Sequence, residues 1–155
     1  MQKVIQLTLS GISLLAAGII ICSIESVGVP TAKVLVPLLF IVGGIFAILF
    51  AKSNPDAKKP AQYHMLQGAI LILFGLIFGV APKSLGDFLV YATYFVVFFG
   101  LLEIIVGFVL VNSDFKFNWS NLLLRFAGGF FGLIGGVLIL ATSATNESQG
   151  LLITG

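Results

Sequence analysis

Gly68-Ala-Ile-Leu-Ile-Leu-Phe-Gly75, then Ala81-Pro-Lys-Ser-Leu-Gly-Asp87, then Gly100-Leu-Leu-Glu-Ile-Ile-Val-Gly107: this stretch decides the fold. Two apolar runs joined by a short polar turn describe a helical hairpin. The chain writes that unit about two and a half times. Gly11 and Gly18 have the spacing of Gly68 and Gly75, and of Gly128 and Gly135. Gly43 lies 57 residues before Gly100, as Gly11 does before Gly68. An offset shared by both helices of the hairpin is a tandem repeat.

Composition agrees. Of 155 residues, 59% are hydrophobic and only 9% charged, against about a quarter charged in soluble domains. Mean hydropathy is +1.15. The chain reads as one integral membrane domain, its first partner the lipid bilayer. The single cysteine, Cys22, excludes an intramolecular disulfide and a multi-cysteine metal site, and it reads as a small buried side chain. No basic patch interleaves with aromatics, so nucleic acid is not an expected partner.

Five spans are expected, at about 4–24, 33–51, 65–81, 88–111 and 119–142. Each approaches the ~20 apolar residues that cross a ~30 Å hydrocarbon core. Lys3 before an apolar run resembles a secretory signal, but the run matches two internal helices and reads as retained. Gly28 and Pro30 separate the first two spans. Pro37 is expected in the first turns of the second, where a missing N–H costs least. Residues 52–64, with two prolines and three lysines, read as an exposed loop. Residues 145–150 read as a turn and 151–155 as the start of a sixth helix. The repeat leaves open whether five helices are the full set or a sixth has been lost.

Basic residues set the orientation. Lys3, Lys52, Lys58, Lys59 and Lys116 share one side of a five-span chain, and Lys33 and Lys83 the other. The N-terminus is therefore expected inside, with Tyr63, Trp119 and Tyr91 as interfacial anchors.

Two charges lie well within spans, Glu103 and Arg125. Such charges are costly in hydrocarbon and need partners. Counted from the turn between them, Glu103 lies at a depth of about 13 Å and Arg125 at about 10 Å. The pair is therefore expected as a structural clamp, or as a proton or cation site tuned by the arginine. Gly100 and Gly107 share a helical face with Glu103. Arg125, Gly128, Gly132 and Gly136 form a second stripe. With Gly11, Gly18, Gly43, Gly68 and Gly75, these are the expected helix-packing positions. By the offset of 57, Phe46 is the repeat equivalent of Glu103.

Other polar residues read more blandly. His64, the one histidine, is expected to be solvated beside Lys58 and Lys59, since a metal site needs several ligands. Asp87 and Asp114 read as loop or cap residues. Ser10, Ser13 and Thr93 are expected to bond backbone carbonyls. Asn146-Glu-Ser148 matches a short glycosylation pattern. No nucleophile, metal or cofactor constellation is legible, so no enzyme is expected.

The spaced glycines, the turn Ala81–Asp87, the Gly100–Gly107 run and Trp119-Ser-Asn-Leu-Leu-Leu together resemble the HdeD-like acid-resistance membrane proteins. That resemblance implies a bacterial cytoplasmic membrane, about six helices in three hairpins, and a link to acid or stress resistance. It brings no catalytic motif, and this chain departs from it by lacking a full sixth helix. Three roles follow: an HdeD-like scaffold or stress factor, an accessory subunit of a larger membrane complex such as a respiratory assembly, or a proton-linked transporter using Glu103. Other transmembrane helices, of this chain or a complex, are the expected protein partners.

Overall fold

The computed structural model describes the backbone of residues 2–54, 58–112 and 119–154. Side chains are described for residues 5–24, 26–54, 61–112, 119–120 and 122–138. The side chains of Lys3, Lys58, Lys59, Asp114, Lys116 and Asn146 lie outside these residues. Among the described residues all regular structure is helical: α1 (Gln2–Cys22), the single turn α2 (Ile24–Val27), α3 (Val29–Lys52), α4 (Lys58–Val80), α5 (Leu85–Val111) and α6 (Trp119–Thr154). Among the described residues, four helices are long and apolar enough to cross a membrane, within α1, α3, α4 and α5. In α6 the described apolar run is Leu122–Leu138. This is the architecture of a multi-pass membrane protein.

The three largest boundary differences from the sequence expectation each have a local reason. α3 begins at Val29 because Gly28 takes φ 84°, a left-handed turn open to glycine, and Pro30 supplies the first-turn φ without a missed hydrogen bond. Pro37 is therefore inside α3, not in its first turns. α4 begins at Lys58, within the stretch expected as loop, because Pro60 sits in the first turn where no N–H partner is lost. Finally, α6 runs unbroken through residues 145–150, so 151–154 continue it and do not start a sixth helix. Ser, Asn and Gln weaken a helix by only a few tenths of a kcal/mol and Gly150 by about 1 kcal/mol, and no proline stops it.

α5 has a reciprocal N-terminal cap. The Asp87 carboxylate accepts from the backbone N–H of Lys83 at 2.9 Å and of Ser84 at 3.1 Å, and Ser84 Oγ accepts from the Asp87 N–H at 3.1 Å. This capping box satisfies otherwise orphaned amides. Replacing Ser84 with alanine is expected to lower stability by about 1 kcal/mol, read as a shift in the thermal unfolding midpoint in detergent. An unchanged midpoint would remove the cap from the account.

The chain divides into two compact units, Met1–Leu89 and Val90–Gly155. In the first, α3 is central and packs against both α1 and α4. Its core includes Ala17, Val36, Phe40, Leu71, Phe78 and Phe88. Phe78 meets Phe40 edge-on at 5.5 Å and Phe88 at 5.0 Å. In the second, α5 and α6 form a hairpin with Phe108 against Phe126 at 5.2 Å. Many large apolar side chains, such as Leu15, Val80 and Phe131, point outward. Between helices in lipid, burial of such groups gives little drive, so close packing and polar contacts must hold helices together.

Candidate functional site

The closest backbone approach is glycine on glycine. A Cβ on Gly68 would lie 2.5 Å from the Gly44 carbonyl oxygen and 2.7 Å from Ile48 Cγ1; one on Gly44 would meet Gly68 O at 2.6 Å and Ile72 Cγ1 at 2.8 Å. Only hydrogen fits there. Seven residues on, a Cβ on Gly75 would meet Ile41 Cγ1 at 2.8 Å and Pro37 O at 3.0 Å. Pro37 thus sits in the α3–α4 seam.

The second unit has the same arrangement. A Cβ on Gly100 would meet Gly129 O at 2.7 Å; one on Gly129 would meet Gly100 O at 2.8 Å and Ile104 Cγ1 at 2.7 Å. Seven residues on, a Cβ on Gly136 would press on the Val97 side chain and lie 3.6 Å from Thr93 O. Gly44, Ile41, Pro37 and Ile48 of α3 thus correspond to Gly100, Val97, Thr93 and Ile104 of α5. Gly68 and Gly75 of α4 correspond to Gly129 and Gly136 of α6.

This contact register differs by one residue from the expected offsets. It matches Gly44, not Gly43, with Gly100, and Gly129, not Gly128, with Gly68. The residue matching Glu103 is therefore Ala47 in place of Phe46, and His64 matches Arg125. Adjacent glycines explain the slip: neighbours on a helix point about 100° apart, and composition does not say which one faces a given partner. Gly43 faces α1 instead: a Cβ there would lie 3.3 Å from Ser13 Cβ.

The other glycines expected at helix contacts divide. A Cβ on Gly132 would lie 3.3 Å from Val96 O, and one on Gly107 would lie 2.7 Å from the Phe126 ring. Among the described residues, nothing lies within 4 Å of a Cβ on Gly11, Gly18 or Gly128, so these make no close contact there. Gly44 and Gly129, which meet Gly68 and Gly100 across the two seams, were not singled out by the sequence. The doubled Gly43-Gly44 and Gly128-Gly129 were the available signal.

Glu103 and Arg125 come together beside the Gly100–Gly129 crossing. Arg125 Nη1 donates to Glu103 Oε2 at 2.9 Å, with the side chains 25% and 15% exposed for Arg125 and Glu103. Glu103 is three residues after Gly100 and Arg125 four before Gly129, so both emerge on the seam side of their helices. The glycines bring the backbones close, and the ion pair closes the gap next to them. Chemically this is a charge-assisted contact between helices, stronger than a neutral hydrogen bond.

The remaining candidates stay separate. His64 is buried on α4, not solvated in a loop: Nδ1 lies 3.1 Å from Gln67 Oε1, and the ring stands edge-on to Phe50 at 4.9 Å. The early start of α4 turns it inward. Cys22 is exposed, not buried, because it falls at the last residue of α1. Ser13 Oγ donates to Leu9 O at 2.9 Å. Ser10 and Thr93 are buried. Tyr63 and Tyr91 are half-buried and Trp119 is exposed. Among the described residues, no three His, Cys, Asp or Glu side chains gather as a metal site. Comparison with family models, curated proteins and solved structures gives no match.

Proposed function

We propose that this chain is a non-enzymatic, multi-pass membrane protein of HdeD-like, scaffold or stress-resistance type. On this reading it lies in a bacterial cytoplasmic membrane with the N-terminus inside and is assembled from tandem helical hairpins. One observation carries the proposal: the α3–α4 and α5–α6 hairpins share a contact register, with glycines, branched side chains and carbonyls at matching positions. A motif repeated for close packing serves helix assembly, and the charged pair extends that seam with one more bond between its helices. The resemblance drawn from the spaced glycines supports the stress-resistance part.

The test begins with extraction in mild detergent, sizing, and mass spectrometry of whatever travels with the protein. A small homogeneous particle without a stoichiometric partner is expected. Co-migration with a large assembly would instead make the chain an accessory subunit. Proteoliposomes holding a pH-sensitive dye test the transporter reading. Equal proton leak for the native chain and Glu103→Gln is expected, whereas flux abolished by that substitution in a folded protein would overturn the scaffold.

A further inference from the structure

A cavity of about 190 Å³ opens between the end of α3 and the first turns of α4, lined by Ala51, Lys52, Ala61, Gln62 and Met65. One water needs only ~10–15 Å³ on this measure, so the space takes a group of several heavy atoms. Its walls are mostly alanine and methionine, with an amide and an ammonium as polar groups. Among the described residues, the membrane-crossing run of α3 extends to Lys52 and that of α4 from Ala61. The cavity therefore lies where hydrocarbon gives way to headgroups.

Lys52 is not consumed by its own helix end. Ser53 N and Oγ both donate to Leu49 O, Asn54 Nδ2 donates to Phe50 O, and Asn54 N donates to Ala51 O. The last carbonyls of α3 are thus capped by the two residues after it. Among the described residues, no carboxylate pairs with Lys52. An exposed cation remains at the mouth of an apolar-walled cavity at headgroup depth, an arrangement suited to lipid phosphates.

We propose that this cavity binds the phosphate headgroup of an acidic phospholipid, with Lys52 and Gln62 on the phosphate and Ala51, Ala61 and Met65 against the start of an acyl chain. Free phosphate offers the same anion without the chain and leaves the apolar walls uncovered.

Native mass spectrometry of the full chain, with dioleoylphosphatidylglycerol, dioleoylphosphatidylcholine or inorganic phosphate added, tests this. Retention of the glycerol lipid above the choline lipid is expected. Lys52→Gln should lower that retention about fivefold, whereas Lys83→Gln, at an exposed lysine outside the cavity, leaves it unchanged. Ala61→Leu fills the cavity with Lys52 still present and should also lose the lipid. Equal loss from Lys52→Gln and Lys83→Gln, or full retention by Ala61→Leu, would overturn the site. Displacement of the lipid by millimolar phosphate would overturn its assignment to a lipid.

Discussion

Gly68→Leu is expected to destabilise the protein by about 2–3 kcal/mol, the upper part of the range for overpacked sites. The added Cβ alone would press on Gly44 O at 2.5 Å and Ile48 N at 3.2 Å. These are backbone atoms that no rotamer change moves, so α3 and α4 must separate along their whole crossing. The matched control is Gly11→Leu, where nothing described lies within 4 Å and removing a mid-helix glycine should stabilise by up to about 1 kcal/mol. Unfolding in mixed micelles, followed by helical circular dichroism against added SDS, reads the difference. Equal midpoints for the two variants would refute the seam.

Arg125→Leu carries the second large effect, a loss of about 2 kcal/mol. Removing one member of a buried pair costs about 3–5 kcal/mol because the other charge is stranded, and the 15% exposure of Glu103 reduces that figure. Adding Glu103→Leu to Arg125→Leu should recover part of the loss, since no charge is then left behind. Glu103→Gln keeps an acceptor for Arg125 and should cost about 1 kcal/mol or less. The double-mutant cycle measures the coupling directly. Additive single losses would show that the two groups act independently and that the clamp is absent.

The helical class was legible because residues of one kind dominate: runs such as Phe88–Val111 leave few alternatives in lipid, where backbone groups must be satisfied within the segment. The Glu103–Arg125 contact followed from depth alone, since both positions count back to one turn. Boundaries were harder wherever proline appeared. Pro30 and Pro60 look alike as breakers in a string of letters, yet each sits in the first turn of a helix. The unbroken α6 was hidden because polar residues weaken a helix without ending it. The seam was read one residue off because which of two adjacent glycines faces a neighbour is a rotational fact, fixed only by packing. His64 was misplaced for a similar reason: a helix start moved by a few residues turns a loop side chain into a buried one.

The length of α6 has a consequence for the bilayer itself. Its 36 residues extend about 54 Å at ~1.5 Å per residue, against a membrane about 40–45 Å thick with its headgroups. The whole of α6 is therefore longer than the membrane is thick. Mismatch is set by the apolar run, and the described one, Leu122–Leu138, is only about 25 Å long. The rest of the helix therefore passes through polar residues into water, and a leaning helix adjusts the remainder. A bilayer made thicker or thinner would thus act on α6 as a lever on the α5–α6 crossing. Membrane thickness becomes a variable to which the Gly100–Gly129 contact is mechanically connected.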